Sequence, residues 1–364
     1  MTKQILALKK HAEQKDISKK TVNIFLAGVG AVGGTLLHQI EVLEHRDISL
    51  NIIGICNREK VKWRSNGESV SELSDTLYRS KLKNWDSILD TLAMLSDQNL
   101  IFVDATGSHE VAGLYETILN SGIHIVTPSK LANSKSQLYF DTLVDAAVSN
   151  GIQYHFETTV GAGLPVLEPI RNLIETGDKI VEISGVLSGT MTYLFDELEK
   201  GASFSEAVVQ ARALGYAEPD PRDDLSGEDV ARKFLILART CGRKLERTQI
   251  HVESLIPDFL QDADSTTFLQ KLHQVDNYWK ERLEKSQNAG KTLRYTGTFT
   301  DDSIRIGIQE TEKQSPIGQL TGTNNLIQIK TERYYDQPLI IQGPGAGKEV
   351  TAAGVLSDIL KISG

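Results

Sequence analysis

A chain of 364 residues is long enough for about two domains of ordinary size, and 40% hydrophobic with 24% charged residues is the balance of a folded globular protein. Lys and Arg total 39 against 48 Asp and Glu, a net charge of −9 that repels polyanions and excludes a nucleic-acid or anionic-membrane partner spread over the whole surface. The two cysteines, Cys56 and Cys241, cannot build a disulfide framework and fit a reducing compartment. No apolar run approaches the ~18 residues of a membrane helix. Together these features lead us to expect a cytoplasmic protein.

In chain order, residues 1–20 carry scattered lysines and no central apolar block, so they read as a short helix or solvated lead-in rather than a targeting segment. From Thr21 short apolar runs alternate with helical periodicity, the pattern of βαβ units and a parallel sheet. The runs VNIFLAG, NIIGICN, NLIFVDAT, GIHIVTP and IQYHFET are the expected strands. After about Glu157 the rhythm changes to successive helices (164–175, 191–199, 205–214 and 227–240) with the isolated strand KIVEISGVL. From Lys291 β-type segments return, and the glycine-rich GPGAGK turn feeds a terminal helix. The polar stretch 261–290 reads as a tolerant insertion. The expected fold class is α/β: a Rossmann-type doubly wound parallel sheet over 21–156 joined by 343–364, with a second α+β domain over 157–342.

Gly28-Val-Gly30-Ala31-Val32-Gly33 follows a predicted strand and opens a predicted helix, the setting a dinucleotide-binding turn requires. Gly28 permits the tight turn, Gly30 lets N–H groups approach a pyrophosphate, and Gly33 lets the helix pack on the strand with its N-terminus, Ala31 and Val32 included, toward the phosphates. A ligand-free packing turn is the alternative. An NAD site places Asp or Glu at the end of the second strand, whereas Cys56-Asn57-Arg58 stands here. Arg58 is therefore expected to meet a 2′-phosphate, favouring NADP over NAD, unless it is an ordinary surface arginine. Thr106, after the third strand, and Lys130, after the fourth, lie at the same carboxyl edge.

The block Tyr216-Ala-Glu218-Pro-Asp220-Pro-Arg222-Asp223-Asp224-Leu-Ser-Gly-Glu228-Asp229-Val-Ala-Arg232-Lys233 places several acids and two prolines before a helix, with Ser226 as its candidate cap. At about 100° per residue Asp229 and Lys233 share a face between an apolar stripe (Val230, Phe234, Leu237) and a charged one (Glu228, Arg232, Arg239). An i,i+4 surface ion pair explains that spacing as well as a catalytic pair does. A half-buried lysine can act as general acid or base, and carboxylates can hold a substrate ammonium. Two more turns stand out. The free carbonyls of Glu157-Thr-Thr-Val160-Gly-Ala162-Gly-Leu164 suit a hard monovalent cation or a plain turn, and Ser188-Gly189-Thr190 opens a helix whose N–H groups suit a carboxylate. The scattered histidines show no zinc-ligand spacing.

GVGAVG, DATGS, TPSKLAN, ETTVGAGLP, SGVLSGTMTY, LGYAEPDPRDDLSGEDVARK and GPGAGKEVTAAGV, in this order, resemble the blocks of the homoserine dehydrogenase family, closest to the dehydrogenase half of bifunctional aspartokinase–homoserine dehydrogenases. Ser129 replaces a usual asparagine, and SPIGQL lacks a frequent His-Pro. The resemblance implies NAD(P)-dependent interconversion of L-homoserine and L-aspartate 4-semialdehyde, in the biosynthesis of threonine, methionine and isoleucine. It implies Lys233 as general acid/base, Asp229 as its support, and Glu218 and Asp224 on the substrate amino group. It sets Lys130 at the junction of cofactor and substrate, and Thr106 and Gly347 on the cofactor. It also implies a sodium ion on backbone groups of Glu157, Val160, Ala162 and Leu164, and a homodimer formed through the second domain. Another NADP-dependent dehydrogenase of a small amino acid or aldehyde, and a non-catalytic NADP-binding protein, are the alternatives.

Overall fold

Alternation along the strands sets the architecture. The computed structural model describes residues 19–363 apart from 46, 66, 97, 98 and 302. Its strands are β1 (Lys20–Ala27), β2 (Ile48–Cys56), β3 (Lys60–Trp63), β4 (Lys81–Leu82), β5 (Leu100–Asp104), β6 (His124–Val126), β7 (Tyr154–His155), β8 (Ile180–Val186), β9 (His251–Val252), β10 (Lys291–Thr300), β11 (Ser303–Glu312), β12 (Asn324–Thr331) and β13 (Leu339–Pro344). The helices that position the site are α1 (Ala31–Val42), α2 (Lys130–Asn133), α3 (Leu167–Glu175), α4 (Gly189–Glu199), α5 (Glu228–Thr240) and α6 (Lys348–Ser363). Of the expected lead-in, residues 1–18 lie outside the described residues, and Lys20 already belongs to β1.

The first sheet has the order β4-β3-β2-β1-β5-β6-β7. Strands β2, β1, β5, β6 and β7 are parallel, as expected, but β3 and β4 add an antiparallel edge that the apolar pattern did not announce. The turn into β3 is made by Asn57, whose Oδ1 accepts the N–H groups of Glu59 (2.9 Å) and Lys60 (2.7 Å). On β1, Val22, Ile24 and Leu26 face α1 and α6, while Phe25 and Ala27 face the helices 85–93, 115–120 and 137–149. Burial on both faces is why this strand is apolar almost throughout. Helix α6 returns the chain to this sheet: Ala352, Val355, Ile359 and Ile362 join the core of Leu36, Leu37 and Ile40 on α1. The order in which successive strands are added reverses between β1 and β5, the switch point where open α/β sheets take ligands.

The second sheet runs β13-β12-β8-β10-β11-β9, antiparallel except for the β11–β9 pair. Helix α5 lies on it, and Gly297 of β10 makes that approach possible because a Cβ there would meet the Phe234 ring at 2.1 Å. Arg239 was placed on the charged stripe of α5, but it is 4% exposed and spends its guanidinium on buried carbonyls. Ser226 ends a short turn, and Gly227, at φ +74°, is the residue that opens α5.

The reading of 261–290 as an insertion is wrong. Helices 265–271 and 276–288 and the turn between them bury Phe268, Trp279 and Leu272 in the main core of this region, with Trp279 stacked on Phe204 at 4.8 Å between ring centres. Asp276 further accepts the backbone N–H and the hydroxyl of Ser205 at 2.8 and 2.7 Å. Its polar composition is the outer face of two helices that bury a few large residues.

Candidate active site

The glycine-rich turn between β1 and α1 uses its glycines for different purposes. A Cβ on Gly33 would sit 1.8 Å from the Gly28 carbonyl oxygen, and one on Gly28, at φ +96°, would meet the Ala105 carbonyl at 2.7 Å. Both are packing requirements. A Cβ on Gly30 meets nothing within 4 Å, so this glycine keeps space open. It caps α1 without a side-chain bond, which leaves the first-turn N–H groups for a ligand.

A cavity of about 880 Å³ opens there, at the carboxyl ends of β1, β2 and β5. Of the expected cofactor residues Gly28, Gly30, Arg58 and Thr106 line it, whereas Ala31, Val32, Gly33, Lys130 and Gly347 do not. Gly347, at φ +134°, lies in the turn that leads into α6. The loop carrying Thr106 is set by buried Asp104, whose Oδ1 accepts the Thr106 N–H (2.8 Å) and hydroxyl (2.6 Å) and whose Oδ2 accepts the Tyr115 hydroxyl (2.6 Å). Burial raises the Asp104 carboxyl above the usual range despite these bonds.

Three lining residues were missed: Lys83, Trp85 and Glu110. Lys83 reaches the cavity because its N–H bonds to the Glu59 carbonyl (2.7 Å) beside the Asn57–Arg58 turn, a consequence of the unread hairpin. The indole N–H of Trp85 is buried without a partner. An open glycine turn, an uncapped helix end, two cations and an orphaned indole donor suit a phosphorylated dinucleotide.

A second constellation assembles from separate segments. Ser129, replacing the asparagine usual in the resembling block, serves as N-cap of α2 through its hydroxyl to the Leu131 N–H (3.4 Å). Helix α2 follows β6, and β6 is the neighbour of β5, so Lys130 stands beside the Thr106 loop. The Asp229 carboxylate, on the first turn of α5, joins two lysines: Oδ1 lies 3.2 Å from Lys130 Nζ and Oδ2 lies 2.8 Å from Lys233 Nζ. Lys233 is 8% exposed and also donates to the Leu187 carbonyl oxygen at 2.7 Å, just past the end of β8. The i,i+4 pair is thus two members of a triad, and the third member and the carbonyl anchor had no signal in local spacing.

Burial lowers the Lys130 ammonium below the usual lysine range, with the Lys233 charge adding to it and Asp229 opposing it. Burial acts to raise the Asp229 carboxyl, but Lys233 and Lys130 outweigh it and hold that carboxyl below the usual range.

Beside this triad the acidic block separates into spent and available groups. Asp220 is paired with Arg222 (2.6 Å), and Glu228 with Arg247, whose Nε donates to Oε2 at 2.9 Å. Asp224 Oδ1 lies 2.9 Å from the Thr190 hydroxyl, and Oδ2 accepts the Glu218 N–H at 2.8 Å. Burial raises the Asp224 carboxyl above its usual range. Glu218 itself is exposed. Thr190 and Gly189 open α4, whose cap is Ser188 through its hydroxyl to the Met191 N–H (3.2 Å). Asp224, Glu218, Thr190 and Gly189 are therefore brought to one place.

The 157–164 turn behaves differently from a carboxylate metal site. The Glu157 carboxylate is used on α3, accepting the N–H groups of Val166 (2.5 Å), Leu167 (2.6 Å) and Glu168 (2.8 Å). Among the described residues no group of three His, Cys, Asp or Glu side chains is placed to hold a metal. Gly161 at φ +80° and Ala162 at φ +53° turn the backbone, and no backbone N–H of the described residues bonds to the carbonyls of Val160, Ala162 or Leu164. Those oxygens are the hard donors an alkali cation takes.

One clamp was also missed. Arg239, nearly three turns beyond Asp229 on α5, donates to the carbonyls of Asn133 (2.8 Å), Lys135 (2.9 Å) and Leu245 (2.9 Å) and to Gln137 Oε1 (3.0 Å). It ties the Lys130 segment to the helix of Asp229 and Lys233.

The homoserine dehydrogenase family model matches residues 165–360, and the model for the NAD-binding domain of homoserine dehydrogenase matches 28–157. The chain is 37% identical over 350 residues to a bifunctional aspartokinase/homoserine dehydrogenase of Haemophilus influenzae, covering 94% of this chain and 43% of that protein. It spans about two fifths of the length of the first curated relatives it matches. It is 38% identical to the homoserine dehydrogenase of Saccharomyces cerevisiae, over 95% of this chain and 99% of that one. A solved Candida auris protein of unknown function superposes with a TM-score of 0.87 at 35% identity, covering 94% of this chain and 98% of that one.

Proposed function

Because this chain belongs to the homoserine dehydrogenase family, we propose that it is an NAD(P)-dependent oxidoreductase that interconverts L-homoserine and L-aspartate 4-semialdehyde, preferring NADP. The observation that carries the reading is the Asp229 carboxylate bridging Lys130 and Lys233 beside the carboxyl edge of the first sheet. Gly28, Gly30, the first turn of α1 with Ala31, Val32 and Gly33, Thr106 and the turn at Gly347 would hold the dinucleotide, with Arg58 and Lys83 on the 2′-phosphate. A bound nicotinamide supplies hydride transfer to or from the substrate carbon.

Lys233 carries three N–H donors, and the Leu187 carbonyl and Asp229 Oδ2 take two of them. The third is left for a substrate oxygen. In the direction of reduction Lys233 gives its proton to the aldehyde oxygen as the alcohol forms, and in the reverse direction the neutral amine takes the hydroxyl proton. Asp229 fixes both lysines, so Lys130 stands between the substrate and the Thr106 loop. Glu218 and Asp224 receive the substrate ammonium, and the α4 N-terminus at Gly189 and Thr190 receives its carboxylate. The carbonyls of Glu157, Val160, Ala162 and Leu164 would hold a sodium ion, which stiffens the turn leading to α3.

This assignment divides the chain into a cofactor unit, 21–156 with 345–364, and a substrate unit, 157–344, the latter two residues longer than the expected 157–342 because β13 runs to Pro344. Strand β13 forms an exposed edge with Ile340 outward, which supports a homodimer through the second sheet. Cys56 and Cys241 are free thiols, in keeping with the cytoplasm, and among the described residues no helix is long and apolar enough to cross a membrane.

The test follows NADPH absorbance with aspartate 4-semialdehyde and NADP reduction with homoserine. Turnover in both directions is expected. Cofactor binding without turnover would identify a non-catalytic protein, and turnover only with another aldehyde or amino acid would reassign the substrate.

A further inference from the structure

We propose that Glu110 is a cofactor-specificity residue that weakens the hold of the cavity on a nucleotide bearing a 2′-phosphate, an inference that rests on the cofactor reading above. The cavity has three charged lining side chains, Arg58, Lys83 and Glu110. Arg58 follows β2, whereas Glu110 lies in the first turn of the helix 109–113 that follows β5, so the two enter from either side of β1.

Lys83 is the shared element. Its ammonium lies 4.8 Å from the centre of the Trp85 ring and 3.4 Å from Glu110 Oε2. The Lys83 side chain is 13% exposed and lies over the Trp85 ring, on a backbone tied by its N–H to the Glu59 carbonyl, whereas the Glu110 side chain is 60% exposed. Lys83 is therefore fixed in the wall, and Glu110 is the free member of the pair.

A dianionic phosphate placed between Arg58 and Lys83 meets a carboxylate already bound to the same ammonium. It must share or displace that partner and is repelled by it. A ribose with a free 2′-hydroxyl carries no charge there and can donate a hydrogen bond to a carboxylate. Glu110 thus costs the phosphorylated cofactor selectively. It narrows the preference set by Arg58 and Lys83 and speeds release of the phosphorylated product.

The experiment measures dissociation constants for NADPH and NADH by fluorescence titration, at low and high salt, on the full chain and its E110Q, E110D and R58A variants. E110Q is expected to tighten NADPH about three- to tenfold at low salt, less at high salt, with NADH within about twofold. E110D keeps the charge and is expected to behave as the parent. Unchanged or weaker NADPH binding in E110Q, or an equal change for both cofactors, overturns the proposal. If R58A loses its preference for NADPH while E110Q gains none, Glu110 alone is misassigned. If R58A keeps the parental preference, the cofactor reading fails and takes the proposal with it.

Discussion

The two ends of the site are built by different means. The cofactor end is made of backbone: glycines that let a turn, a helix and a strand close on one another, and a loop held open by Asp104. The proposed substrate end is made of side chains drawn from α2 and α5, joined by Asp229 and anchored on the Leu187 carbonyl past β8. A backbone cradle depends on residues next to each other in sequence, so its failures are steric and local. A side-chain triad depends on two helices distant in sequence arriving together, so its failures are chemical and leave the fold standing.

The largest effect expected is at the substrate end. Replacing Lys233 with Met should lower kcat about 10³-fold while leaving the NADPH dissociation constant within about twofold, because only the proton transfer is removed. A turnover within tenfold of the parent would break the contrast. The cofactor end should give the opposite signature. Gly33→Ala places a Cβ 1.8 Å from the Gly28 carbonyl oxygen and should cost about 3 kcal/mol of stability, read as a lowered melting temperature. Gly30→Ala, with nothing within 4 Å, should keep the melting temperature but weaken NADPH binding. Equal melting temperatures for the two variants would show that the glycines are not doing separate tasks.

The smallest effect is a displacement in pH. Burial lowers the Lys130 pKa and the Asp229 charge opposes that lowering, so Asp229→Asn should lower it further. The alkaline limb of kcat/KM should then move toward lower pH, and a limb that stays in place would separate Lys130 from the rate. The Asp229 carboxyl is itself held below its ordinary value. Its contribution to stability is therefore present above that ordinary value and is lost as the pH falls through the folded one.

This division also explains what could be read from the residues alone. The glycine turn and the five parallel strands follow from local pattern, since strand periodicity and turn chemistry are short-range. Lys83 and Trp85 were hidden because their approach depends on a hairpin whose strands are short, β4 being Lys81–Leu82, whereas Glu110 enters from the helix after β5 and is marked only by its 3.4 Å contact with Lys83. Arg239 was hidden for a different reason. Helical spacing placed it with Glu228 and Arg232, and only the carbonyls of Asn133, Lys135 and Leu245, presented by neighbouring loops, make it a buried residue. The acids of the 218–229 block were legible as a group, but their division into paired and available carboxylates rests on Arg222, Arg247 and Thr190.

The Arg239 clamp has a mechanical meaning. One guanidinium staples the segment after Lys130 to α5, so Lys130 rides with the second sheet although its strand belongs to the first. Were the two sheets to swing apart like the covers of a book, this seam would be the spine. The opening would widen toward the glycine turn, and the two lysines bridged by Asp229 would keep their spacing through the whole swing.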